Sequence, residues 1–235
     1  MIKVVCFDLF STLVDVASVP LSIGRMTADI FGMDRAHWNA LCFSSKHEIC
    51  KPTIASDVIR RLMHSYDSSI SDELIQQAVY ERQCRFDYAL TEHIQDDVLD
   101  GIRALKEQGY TIILVSNAST AEVLAWPDSP LCRYFDHSVF SCSIGLKKPD
   151  IGIYQHVCDL ASVDSEQCVF VGDGGSNELV GAKEAGMKVL MMTRFLKNNK
   201  VERFKNYAHC IDGDIASTVE VLEWINALNN RKLST

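Results

Sequence analysis

Basic residues are in deficit. Lys and Arg total 23 against 31 Asp and Glu in 235 residues, a formal charge of −8 at pH 7. The mean field therefore repels a phosphodiester backbone, and a nucleic-acid role would need a local basic patch. The residues nearest to one, Arg194, Lys197, Lys200, Arg203 and Lys205, alternate with Asn and apolar residues and read as a solvated face. Long apolar runs are also missing. Residues 112–115 and 189–192 are far shorter than the roughly 18 to 20 residues that cross a bilayer. The opening MIKVVCF meets Asp8 before the core of an export signal can form. The expectation is a soluble chain with no membrane partner.

Proline and glycine are sparse, at 5 and 12 residues, and form no linker. No internal repeat or low-complexity stretch is present either. Any boundary must then lie in short hinges, near residues 15–20 and 91–96. The nine cysteines form no CxxC pair, and the seven histidines form no HExxH or HxxxH. This argues against a disulfide framework and a zinc site, and points to buried thiols in a reducing cytoplasm.

What is present is ordinary globular material, 47% hydrophobic and 23% charged. Residues 2–7 are a short apolar run that stops at Asp8, without the alternation of a half-exposed strand, which predicts a strand covered on both faces. Residues 15–88 change to helical periodicity. Val58, Ile59, Leu62 and Met63 recur at helical spacing, as do Leu74, Ile75, Ala78 and Val79, and Ser71 is placed to cap the second helix.

From Asp96 onward, helix and strand alternate. Helices are predicted at 96–105, 120–126, 151–160, 177–185 and 217–228, and strands at 110–115, 139–141, 168–171, 188–192 and 208–211. This is the pattern of a doubly wound parallel α/β sheet. A core of residues 1–15 and 92–235 would carry an all-helical insert, 16–91, after the first strand.

In such a sheet, ligands meet the carboxyl ends of the strands. The first strand ends at Asp8 in DLFSTL, the second at Ser116 in VSNAST and the fourth at Asp173 in VGDGGSNE. Lys148, in LKKPD, precedes the helix after the third. They lie too far apart in sequence to meet in any local turn. Asp8 and Asp173 supply hard oxygen ligands for Mg²⁺, and an ionised Asp beside a cation can act as a nucleophile. Ser116 and nearby amides can donate to anionic oxygens, and Lys148 offsets repulsion between an anionic nucleophile and an anionic substrate. Taken singly, Asp8 reads equally well as a turn former, Ser116 and Thr12 as caps, and Lys148 as a solvated lysine.

The ordered set DLFSTL, VSNAS, KKPD with Tyr154 following, and GDGGSNELVGA resembles the haloacid dehalogenase-like hydrolase superfamily, and the insert resembles its C1-type helical cap. The resemblance implies Asp8 as nucleophile and Lys148 as the orienting cation. It implies Thr12, Ser116 and Asn117 as holders of the transferring group. Asp8, the Phe10 carbonyl and Asp173 would be ligands of Mg²⁺, with Glu178 an acid close behind them. The substrate would be a small anionic metabolite; oligomeric state is left open.

One departure bears on the reaction. Phosphatases of this superfamily carry a second aspartate two residues after the nucleophile, as general acid and base, and here that position is Phe10. Phosphoester hydrolysis stays the leading expectation, because Asp173 beside Asp8 calls for a cation. Metal-free 2-haloacid dehalogenation, to which an aromatic Phe10 and Tyr154 are suited, stays open. So do phosphonatase chemistry, for which Lys46 or Lys51 would have to serve as a Schiff-base lysine, and a non-catalytic ligand-binding member. Within the insert, Phe31, Trp38 and Phe43 read as its own small core or as an apolar lid. Arg25 reads as a surface ion pair or a contact for a substrate carboxylate.

Overall fold

The computed structural model describes residues 1–196 and 200–233. Among these described residues, six parallel strands form one sheet: β1 (Val4–Phe7), β2 (Thr111–Ser116), β3 (His137–Phe140), β4 (Cys168–Gly172), β5 (Lys188–Met192) and β6 (Gly213–Ile215). Their order is β3-β2-β1-β4-β5-β6. β1 is central, with Cys6 opposite Ile113 on one side and Phe170 on the other. The order in which successive strands are laid down reverses between β1 and β4, which run parallel. That switch point is where a crevice opens at the carboxyl ends of the strands.

Both faces of the sheet are buried. One face, with Val5, Phe7, Leu114 and Val171, packs on α5 (Asp96–Glu107) and α10 (Val219–Leu233). The other, with Cys6, Val115, Phe170 and Met191, packs on α7 (Ile151–Ala161) and α8 (Glu178–Glu184). This double burial explains why the strands read as continuous apolar runs.

Between β1 and α5 the described chain has no named strand. It forms α1 (Thr27–Ile30), α2 (Arg35–Cys42), α3 (Ala55–His64) and α4 (Asp72–Thr91). These enclose a separate apolar cluster that includes Trp38, Val58, Ile59, Leu62, Met63, Ile75 and Ala78. Ser71 caps α4, its hydroxyl accepting from Leu74 N at 3.3 Å. Trp38 is buried in this cluster with Phe31 against it, whereas Phe43 is 72% exposed. Arg25 forks onto Glu81 at 2.6 Å, an ion pair on the insert's own surface.

Some elements differ from the sequence reading. Residues 120–126 form no α-helix but 3₁₀ turns at Ala121–Val123 and Trp126–Asp128. Pro127 lacks an N–H and disfavours helical backbone in the residue before it. Residues 208–211 are not a strand. Ala208 N still bonds Phe204 O, and Cys210 N and Ile211 N turn onto Tyr207 O, so sheet pairing begins only after Asp212 N reaches Val189 O at 2.7 Å. β3 starts earlier than expected, at His137, and Ser141 opens α6 (Ser141–Ile144) instead of closing the strand.

Arg194 is not solvated: its guanidinium sits on Asp97 at 2.7 Å. Lys197 lies outside the described residues, as do the side chains of Lys200 and Arg203. Among the described residues, no helix is long and apolar enough to cross a membrane.

Candidate active site

Asp8 continues β1 by one residue, its N–H donating to Val171 O at 2.9 Å, and so stands at the mouth of the crevice beside β4. The chain then folds back on itself. Ser11 takes a left-handed φ of 63°, and Leu13 N and Val14 N both return to Leu9 O. That turn brings the Thr12 hydroxyl to Asp8 Oδ2 at 2.8 Å, so Thr12 donates to the carboxylate and does not cap a helix.

Lys148 precedes α7 and is 2% exposed. Its Nζ donates to Asp8 Oδ1 and to Glu178 Oε2, each at 2.5 Å. A solvated lysine is thereby excluded. Asn117 fixes the Lys148 backbone: its amide donates to Lys148 O and accepts from Lys148 N, both at 2.8 Å. With that amide occupied, any contact of Asn117 with a substrate falls to its backbone N–H. Ser116 ends β2, and its hydroxyl is buried with no hydrogen-bond partner among the described residues. An orphaned buried hydroxyl costs about 1–3 kcal/mol unless a ligand oxygen satisfies it.

Asp173 follows β4, and its Oδ1 accepts from Gly175 N at 2.9 Å. Glu178 opens α8, accepts from Gly174 N at 3.2 Å, and is held in place by Tyr154, whose hydroxyl donates to Glu178 O at 2.7 Å. Gly172 is required here, because a Cβ would stand 2.2 Å from Glu178 Oε1. Carboxylate oxygens of Asp8, Asp173 and Glu178 lie within 4.8 Å of one another, all buried.

Lys148 is the cation that reaches two of these carboxylates. Burial acts to lower it, and Asp8 and Glu178 outweigh that and hold its ammonium charge firmly in place. Glu178 is pushed well above the usual carboxylate range by burial and then by the Asp8 charge, against the pull of Lys148. Carboxylates crowded at this distance in a dry site favour uptake of a proton or a cation. The donor set, all hard oxygen, suits a divalent ion such as Mg²⁺ and not a soft metal.

Phe10 turns its ring to the insert, edge-on to Phe86 of α4 with centroids 5.2 Å apart. The Arg82 guanidinium lies 4.6 Å from the same Phe86 ring and pairs with Glu122 at 2.5 Å. His47 stands 3.6 Å from Glu122, Thr53 N donates to the Thr120 hydroxyl, and Gln83 donates to Ala121 O. The insert therefore docks on residues 120–122, a few residues after Ser116 and Asn117. Lys46 is exposed and Lys51 pairs at the surface with Glu48, 3.6 Å away. Phe43 lines an open groove with Gly174, Gly175, Ser176, Asn206 and Tyr207.

The sequence reading named Asp8, Thr12, Ser116, Asn117, Lys148, Asp173 and Glu178 as candidates, and the fold gathers all of them at one rim. It did not single out Ser11, whose left-handed backbone has no glycine to signal it, or Tyr207, whose hydroxyl reaches Gly174 O from 33 residues away.

Three comparisons place this geometry among known proteins. Over 104 residues the chain is 32% identical to the rat bifunctional epoxide hydrolase 2, covering 42% of this chain and 19% of that protein. The chain thus spans under a fifth of that relative's length. It is 26% identical over 199 residues to phosphoglycolate phosphatase of Aliivibrio fischeri, covering 82% of this chain and 84% of that one. In fold it is similar to the 2-haloacid dehalogenase of Pseudomonas syringae pv. tomato DC3000, with a TM-score of 0.65 and 23% identity over 97% of this chain and all of that one. The family model for haloacid dehalogenase-like hydrolases matches residues 2–186. The chain belongs to the haloacid dehalogenase-like hydrolases.

Proposed function

We propose that this hydrolase cleaves a phosphoester of a small anionic metabolite through a covalent intermediate on Asp8, with Mg²⁺ as cofactor and residues 16–91 as a helical cap over the site. The observation that carries the reading is the buried triad of Asp8, Asp173 and Glu178 with Lys148 between two of its members. Asp8, Asp173 and the Phe10 carbonyl would hold the cation, with Glu178 behind them. When bound, the cation supplies positive charge to the nucleophile and to the substrate's non-bridging oxygens.

Lys148 and Thr12 fix the Asp8 carboxylate, so that its attacking oxygen is presented in one orientation. Lys148 also offsets the charge that builds as a carboxylate meets an anionic phosphorus centre. The Ser116 hydroxyl and the Asn117 N–H donate to the oxygens of the transferring group. Oδ of Asp8 forms the new bond to phosphorus as the bond to the leaving oxygen breaks, and water then cleaves the acyl-phosphate, restoring Asp8. Phe10 holds no proton for the departing oxygen, so the reading favours substrates whose leaving group needs none. A reducing cytoplasm suits the nine free thiols.

Carbon–halogen hydrolysis by the same Asp8 is the second reading, favoured by the aromatic Phe10 and opposed by Asp173. The exposed or surface-paired state of Lys46 and Lys51 weighs against a Schiff base. A panel of phosphomonoesters, phosphonates and 2-haloacids, with and without Mg²⁺, separates these. EDTA-sensitive release of phosphate, lost in Asp8→Asn, supports the proposal; halide release without metal replaces it, and binding without turnover of any class overturns it.

A further inference from the structure

The loop that carries Asp173 and launches Glu178 is not held by the family-matched part of the chain alone. After Gly174, at a φ of 91°, Ser176 and Asn177 adopt consecutive left-handed conformations, with φ of 54° and 55°. L-residues avoid this region, and two in succession persist only where the surroundings enforce them. Tyr207, at the end of α9 (Lys200–Tyr207), packs against this loop.

The Tyr207 hydroxyl lies 2.7 Å from Gly174 O and 3.1 Å from Asn177 Oδ1, within donating reach of both. The Tyr207 ring presses on the same loop, so that a Cβ on Gly174 would stand 2.6 Å from it. Tyr207 is buried, and it lies beyond residue 186, where the family match ends. Two of the loop's N–H groups point inward, Gly174 N to Glu178 and Gly175 N to Asp173. The hydroxyl thus bonds the outer side of a loop whose inner side orients two of the three clustered carboxylates.

We infer that Tyr207 is a positioning residue for the divalent-cation site, acting through the Gly174–Asn177 loop on Asp173 and Glu178. This rests on the reading of Asp173 as a cation ligand. Orienting partners behind a metal ligand typically tune affinity for the metal itself.

The test is Mn²⁺ binding to the full chain without substrate, followed by the loss of the free-ion electron paramagnetic resonance signal. It compares wild type, Asp173→Asn, Tyr207→Phe and Asn177→Gly. Tyr207→Phe keeps the ring and removes the hydroxyl, and Asn177→Gly removes one acceptor without adding left-handed strain. The expected result is abolished binding in Asp173→Asn and affinity about two- to tenfold weaker in Tyr207→Phe, the scale of one neutral hydrogen bond. Asn177→Gly should move in the same direction and independently carries the test if Tyr207→Phe does not fold. If Asp173→Asn abolishes binding while the folded loop variants bind as wild type does, Tyr207 serves packing only and the inference falls, with the cation site intact. If wild type binds no Mn²⁺, or Asp173→Asn binds normally, the cation reading itself fails and takes this inference with it.

Discussion

Lys148 and Asp8, 140 residues apart in sequence, meet at 2.5 Å with both side chains buried. The same ammonium group reaches Glu178 at the same distance, so one lysine serves two carboxylates while Asp173 adds a third to the cluster. The site is thus anionic by construction and suited to a cation. Removing Lys148 leaves two buried carboxylates uncompensated. Lys148→Met should lower stability by about 3–5 kcal/mol, the cost of breaking a buried pair, measured as the urea midpoint at neutral pH. Added Mg²⁺ should restore part of the loss.

On the proposed phosphoester reaction, Phe10 would set the leaving-group dependence. Without a general acid, turnover of alkyl phosphates should fall about 10²- to 10⁴-fold below that of aryl or acyl phosphates, the usual worth of proton donation. The check is the slope of kcat/KM against leaving-group pKa. Phe10→Asp should flatten that slope, while the lost edge contact with Phe86 lowers stability by about 0.5–1.5 kcal/mol.

Glu122 gives the insert–core contact an acid limit. Burial pushes its carboxyl up, and Arg82 with His47 outweighs burial and holds it below the usual carboxylate range. A group depressed in the folded state stabilises above its unfolded pKa, and that contribution is lost as pH falls through the folded value. Stability curves from pH 7 down should therefore steepen below the usual carboxylate range, and Glu122→Gln should flatten that descent. Arg82→Met, which strands the buried carboxylate, should cost about 3–5 kcal/mol at pH 7.

Ser116 answers a different question. Its hydroxyl has no partner among the described residues, so Ser116→Ala removes an unsatisfied group. The variant should unfold at the same temperature as wild type or slightly higher. Its kcat/KM should drop about 10²- to 10³-fold if the hydroxyl donates to the transferring group in the transition state. Thermal unfolding measured beside steady-state kinetics separates the two effects.

Much of this was legible in the sequence because the β1, β2 and β4 runs are buried on both faces and stop abruptly at Asp8, Ser116 and Asp173. Strand ends and sheet order then suffice to gather the polar residues. Local turns were less legible. The 3₁₀ turns after Ser119 depend on Pro127 and on Glu122 turning its carboxylate back to Ser119 N and outward to Arg82. The strand expected at 208–211 is displaced to β6 because Cys210 packs on the core from a turn at the end of α9. Tyr207 left no signal at all, since its partners Gly174 and Asn177 are set by tertiary packing and share no periodic spacing with it.

The most direct test of the central claim is the mass of the acid-quenched enzyme during turnover of a good phosphoester substrate with Mg²⁺, followed by peptide mapping. The account predicts one phosphoryl group on the peptide bearing Asp8, absent from Asp8→Asn and lost on a chase with water. Phosphate release that proceeds with Asp8 unmodified, or that survives in Asp8→Asn, would contradict it.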